Sequence, residues 1–204
     1  MQNPYTVTRD FEDAISEYTG APYVVCVNSG TAALQLAIQW CAGSANPRPI
    51  VTIPRRTYVS VPNAVKLAGC SVAFRDENWQ PGIYRLWPYP VWDCALRFTS
   101  GMYQAGQYMM VSFAAAKILG IEQGGAILHD NAEADAWFRR MRFDGRTEGV
   151  DPREDTFDLV GLHCIMLPSI AAQGLLRIHH CKRENADMPV YDYPDLSRFA
   201  DTWR

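Results

Sequence analysis

The sequence predicts an α/β domain of three layers, a mostly parallel sheet flanked by helices on both faces. Three observations predict it. Short apolar runs alternate with helical patterns along most of the 204 residues, which is the signature of strand–helix–strand units. The run at 23–27, Tyr-Val-Val-Cys-Val, is continuous and β-branched, as befits a strand covered on both faces. The residues best suited to chemistry fall just after such runs, where ligands of layered α/β sheets sit, beyond the carboxyl ends of the strands.

Taken in order, Phe11, Ala14, Ile15 and Tyr18 share one helical face, so a helix is expected over 8–18 with Thr8 as its cap and Gly20 closing it. The strand at 23–27 follows, then a tight loop at 28–31 and strong helix formers over 32–41. A strand at 49–53 and a helix at 60–68 come next, with Pro62 tolerated because it falls in the first turn. A strand at 70–74 follows. Residues 76–88 are rich in Trp, Tyr, Pro and Gly without a period and read as a loop. Strands are expected at 89–92, 108–113 and 125–128, and helices at 132–143 and 168–178. The domain is expected to occupy 1–180, and 181–204, polar with prolines at 189 and 194, to form a C-terminal tail with no separate small domain.

Composition narrows the function. Hydrophobic residues make up 48% and charged residues 20%, the balance of a globular protein. The net charge of −3, with basic residues in pairs such as Arg55-Arg56 and Arg139-Arg140 and not in runs, points away from nucleic acid. No apolar stretch reaches the roughly 18 to 20 residues of a membrane-spanning helix, and the polar start does not resemble a signal peptide. A cytoplasmic location is expected. The six cysteines include no Cys-x-x-Cys pair, so neither a zinc site nor a disulfide framework is indicated, and His179-His180-Cys181 lacks a second ligand pair. No metal is expected.

Three places could carry chemistry. Ser29-Gly30-Thr31-Ala32, between a strand and a helix, offers backbone N–H groups and hydroxyls at a helix N-terminus. That suits a phosphate, and equally an ordinary capped turn. Asp93 directly follows a strand, where a carboxylate is partly desolvated and needs either a cationic partner or a helix to cap. Lys117 follows the apolar run 109–113 and three alanines. It is either a surface lysine on a short helix or an amine whose charged form is disfavoured, and so a nucleophile.

In combination these residues resemble the DegT/DnrJ-type family of sugar aminotransferases, which depend on pyridoxal 5′-phosphate (PLP) and have the type I aspartate-aminotransferase fold. The stretch from Phe11-Glu12-Asp13-Ala14 through Tyr18-Thr19-Gly20-Ala21 to Asn28-Ser29-Gly30-Thr31-Ala32 is similar to that family's opening helix and phosphate turn. Thr57-Tyr58 resembles the segment whose aromatic residue stacks on the cofactor, and Trp92-Asp93-Cys94-Ala95 the motif whose aspartate meets the pyridine nitrogen. Ser112-Phe113-Ala114-Ala115-Ala116-Lys117 matches Ser-Phe-x-x-x-Lys, in which the serine binds phosphate and the lysine forms the covalent link. Gln123-Gly124-Gly125 and 142–146 continue the match, and Gly161-Leu162-His163-Cys164-Ile165-Met166 resembles a motif that reaches the partner subunit's active site.

The resemblance implies PLP as cofactor and Lys117 as the catalytic residue. It implies cofactor contacts at Gly30, Thr31, Ala32, Tyr58, Asp93, Ser112, Lys117 and His163. It further implies a homodimer that moves an amino group from glutamate or a similar donor to a keto-sugar, nucleotide-linked, with small molecules and neither nucleic acid nor membrane as partners. Lysine at 117 separates the chain from the family's dehydratase branch, which has histidine there. Departures are a shortened stretch between 76 and 93, no room for the family's small C-terminal domain before Arg204, and Leu96, His163 and Ile165 where polar or charged residues are usual. Two alternatives therefore stand: a PLP enzyme of another reaction type, such as a decarboxylase, lyase or racemase on a small amino acid or modified nucleotide, and a catalytically inactive protein of the PLP fold.

Overall fold

The computed structural model describes residues 4–79 and 81–203. Helices α1 (Thr6–Thr19), α2 (Gly30–Ala42), α3 (Ser60–Leu67), α4 (Ala132–Met141) and α5 (Pro168–Ile178) surround seven strands. These are β1 (Tyr23–Val27), β2 (Ile50–Pro54), β3 (Ser71–Arg75), β4 (Tyr84–Leu86), β5 (Val91–Asp93), β6 (Tyr108–Ser112) and β7 (Gly125–His129). Two short 3₁₀ turns over Leu196–Trp203, kinked at Phe199, end the described chain.

Five strands pair in the order β1-β7-β6-β5-β4, and β2 pairs with β3. Reciprocal backbone hydrogen bonds of 2.8 and 3.2 Å between Thr52 and Trp87 tie the two sheets together beside β4. The three-layer reading holds: neighbouring residues along each central strand serve opposite cores. Val25, Met110 and Ile127 pack with α2, α3 and α4. Val24, Met109, Val111 and Leu128 pack with α1 and α5. Gly174 of α5 lies against Phe11 so closely that a Cβ there would stand 2.3 Å from the ring.

The sheet is mixed, where a mostly parallel one is expected from the sequence. Only β5–β6 and β2–β3 are parallel, whereas β1–β7, β6–β7 and β4–β5 are antiparallel. The reason lies in the connections, because a parallel pair needs a crossover of a dozen residues or so, usually a helix. A tight turn at 87–90 joins β4 to β5, so that pair reverses direction, and β6 and β7 reverse across 113–124; β5 and β6 run parallel although 94–107, between them, carries no helix.

Two further expectations change. β4 lies inside the stretch read as a loop, since three residues are too few to show a period. Helix α1 starts two residues earlier than expected, with no side-chain cap, and Thr8 is buried within it. Gly20 closes α1 as expected, left-handed at φ 80°, its N–H donating to the Ser16 carbonyl.

A buried ionic cluster fastens α1, β1 and α4. Glu12, 2% exposed, accepts from Arg139 Nη1 at 2.6 Å, from the Cys26 N–H at 2.8 Å and from Arg142. Arg142, with no exposure, also donates to the Cys26 carbonyl at 2.5 Å. Burial alone would raise the Glu12 carboxyl, but Arg142, Arg139 and the Cys26 N–H hold it below the usual carboxylate range. Among the described residues no helix is long and apolar enough to cross a membrane.

Candidate active site

The turn from β1 into α2 forms one wall. Ser29 caps the helix, its Oγ accepting the Ala32 N–H at 3.1 Å, so Ala32 contributes to the shape of the turn and does not line the cavity. The first turn of a helix exposes N–H groups that no helical carbonyl satisfies, and the helix dipole makes that end attractive to anions. Glycine is needed here for closeness. A Cβ on Gly30 would stand 3.0 Å from Met110 Sδ and 3.1 Å from Ser112 Cβ. One on Gly125 would stand 2.5 Å from the Gly30 nitrogen. The start of α2 is thereby pressed against the ends of β6 and β7.

Asp93 ends β5 and is buried. Its Oδ1 accepts the Ala95 N–H at 2.9 Å and its Oδ2 accepts the Tyr84 hydroxyl at 2.7 Å. Burial pushes the carboxyl up, while those two donors and the charge of Lys117 pull against it. A carboxylate removed from water in this way gains from a cation placed beside it. Lys117 sits in a turn after β6, its N–H bonded to the Ala114 carbonyl at 2.8 Å. Partial burial lowers its ammonium, with Asp93 opposing the shift. The amine is thus drawn toward the uncharged, nucleophilic form.

Gly30, Thr31, Tyr58, Asp93, Ser112 and Lys117 all line one cavity of about 290 Å³. Segments of the chain some ninety residues apart therefore meet as the motifs imply. Tyr58, 58% exposed, stands at the cavity's outer edge with its ring centroid 6.2 Å from that of Tyr193 in the C-terminal segment.

His163 stands apart. Its ring lines a neighbouring cavity of about 230 Å³ with Asn28 and Ile165, and its Nδ1 lies 2.8 Å from Asp144 Oδ2 on an exposed surface. Gln123 and Gly124 border both cavities.

Sequence reasoning missed Tyr84, the residue that binds Asp93 directly. Its only signal was the aromatic richness of 76–88. Among the described residues no group of three or more His, Cys, Asp or Glu is placed to hold a metal.

The likeness to the DegT/DnrJ family stands: residues 1–82 match the model of the DegT/DnrJ/EryC1/StrS aminotransferase family. A GDP-perosamine synthase of Escherichia coli O157:H7 is 26% identical over 225 residues, covering 87% of this chain and 60% of that protein. Among solved structures, AtS13 from Actinomadura melliaura superposes with a TM-score of 0.75 at 20% identity, over 86% of this chain and 60% of that one. NtdA from Bacillus subtilis, with bound cofactor PMP, superposes with a TM-score of 0.70 at 19% identity, over 86% and 48% respectively. The chain thus spans about three fifths of the length of that Escherichia coli protein.

Proposed function

We propose that residues 1–180 form the PLP-binding domain of an aminotransferase, with 181–204 as a C-terminal tail. The reaction moves an amino group from glutamate or a similar donor to a nucleotide-linked keto-sugar. The observation that carries the reading is the convergence of Lys117, Asp93, Ser112 and the Ser29–Thr31 turn on a single cavity. The name of the Escherichia coli relative supports a sugar nucleotide as substrate, and the PMP held by NtdA supports the cofactor.

The residues present fit PLP. The glycine-lined cradle at the start of α2, with the hydroxyls of Ser29, Thr31 and Ser112, suits a phosphate. The buried carboxylate of Asp93 suits a protonated ring nitrogen, and Lys117 supplies the amine. When bound, the cofactor supplies an electron sink for the carbanion formed at the substrate's α-carbon.

The chain's own residues do the rest. Gly30, Thr31, Ala32 and Ser112 shape the phosphate cradle, Asp93 holds the proton on the ring nitrogen, and Tyr58 covers the ring from the cavity's edge. Lys117 Nζ is the amine that would hold the cofactor, and as a partly buried amine it would carry a proton to and from the substrate carbon. His163, facing outward, contacts the phosphate in the site of a second copy, and the working unit is a cytoplasmic homodimer acting on small molecules.

The test is direct. Protein incubated with PLP develops the visible absorbance of a lysine-bound cofactor, borohydride fixes the cofactor on Lys117, and Lys117→Ala shows neither. Glutamate bleaches the band. Absence of both band and fixation overturns the reading in favour of an inactive protein of this fold, and bleaching only by another amino acid transfers it to a different PLP reaction.

A further inference from the structure

Behind Asp93 stands a relay that the proposed chemistry does not by itself require. Tyr84 and Thr57 are both buried, at 2% exposure each. The Tyr84 hydroxyl donates to Asp93 Oδ2 at 2.7 Å, and Thr57 Oγ1 lies 2.6 Å from the same hydroxyl. The direction of the protons follows from the number available. A phenol has one hydrogen and an ionised carboxylate has none, so the Tyr84 hydroxyl donates its hydrogen bond to Asp93 and Thr57 donates to the Tyr84 oxygen. Trp79, edge-on to the Tyr84 ring at 4.9 Å between centroids, keeps the phenol from swinging aside.

We propose that Tyr84, oriented by Thr57, is a positioning residue that keeps Asp93 ionised and aimed within its buried site, ready for the ring nitrogen of the cofactor. The inference rests on the PLP reading for its ligand but not for its geometry. Charge-assisted hydrogen bonds of this kind are among the strongest a protein makes, and a carboxylate without one in such a place would take up a proton instead. The titratable groups around Asp93 are Tyr84 on the facing strand, Lys117 beyond β6, Tyr193 of the C-terminal segment and the neighbouring Cys94. Of these, Lys117 and Tyr84 favour the carboxylate, and only Tyr84 touches it.

The experiment uses the whole chain, first without cofactor. Thermal melting of the parent, Tyr84→Phe, Asp93→Asn and the double variant is followed from pH 5 to pH 8. The expected result is a loss in Tyr84→Phe that is larger at pH 8 than at pH 5, with the pH-dependent part gone in the Asp93→Asn background. A loss independent of pH, or one that persists with Asp93→Asn, overturns the proposal. Thr57→Val gives a smaller loss of the same shape and Thr57→Ser restores the parent, a pattern that simple cavity formation would not produce. PLP titration then shows about tenfold weaker binding for Tyr84→Phe, and unchanged binding overturns the cofactor-directed part. If the parent itself binds no PLP, the proposed function falls together with that part, while the melting series still decides the relay.

Discussion

Gly125→Ala is the sharpest test of how the cradle is built. Residue 125 opens β7 in ordinary extended backbone, so alanine brings no conformational penalty of its own. Its Cβ would stand 2.5 Å from the Gly30 nitrogen and 2.7 Å from the Gly30 Cα, nearly an ångström inside normal contact. Nothing there is flexible, because the opposing atoms are backbone. Gly30 in turn has Met110 and Ser112 at its own Cβ position, so the start of α2 has no slack on the β6 side. Overpacking of this sort costs about 1–3 kcal/mol. In a domain of this size each kcal/mol lowers Tm by about 2–4 °C. The larger effect is on the ligand, since displacing the turn loses a charge-assisted phosphate contact of about 1.5–3 kcal/mol, or roughly ten- to hundredfold in Kd. Melting followed by circular dichroism and PLP titration followed by absorbance measure the two separately. A variant that melts with the parent and binds PLP as tightly would show that the two glycines are not a steric requirement of the cradle.

Two further predictions concern the core. Burial brings His129 down to about 4, so the fold holds the neutral ring; its contribution is complete above pH 6.5 and is lost as the pH falls toward 4, by about 3 kcal/mol. Urea midpoints measured between pH 7.5 and pH 4 should show this step, and His129→Gln should flatten it; an equal step in the variant assigns the acid sensitivity elsewhere. Glu12→Gln removes the carboxylate shared by buried Arg142 and half-buried Arg139, leaving them Glu148 at 3.4 Å and Asp135 at 2.7 Å respectively, and should cost about 3 kcal/mol in urea unfolding; a loss as small as that of a surface substitution would mean that the cluster contributes little to stability.

The parts of the fold that could be read in the sequence are those whose cause is local. Helix α5 begins at Pro168, which fits a first helical position and no interior one, and both ends of that helix agree with the expected 168–178. The run at 23–27 is equally self-contained. Sheet direction is different, because it depends on the path the chain takes between strands, as the helix-free links of parallel β5–β6 and antiparallel β6–β7 show, and no residue of β7 records that. The ionic cluster illustrates the same limit: Glu12 and Arg142 lie 130 residues apart in sequence, and charge alone does not say which acid meets which base. The candidate site was legible where motifs carry glycines and a lysine with little other charge nearby. Tyr84 was not, since its role exists only once β4 lies against β5.

That hairpin also has a consequence for the order of assembly. Tyr84 and Asp93 are directly opposed across β4 and β5, so they share one face of the ladder and are joined by only a short loop of chain. Closing so small a loop costs little entropy and is fast compared with pairings between distant strands. The carboxylate and its hydrogen-bond donor therefore belong to one local unit, whose closure is expected to precede the pairing of β1 with β7. A strand joined through a crossover helix would have to wait for that helix to pack. In this chain, the acid and its partner sit on one short hairpin, nine residues apart.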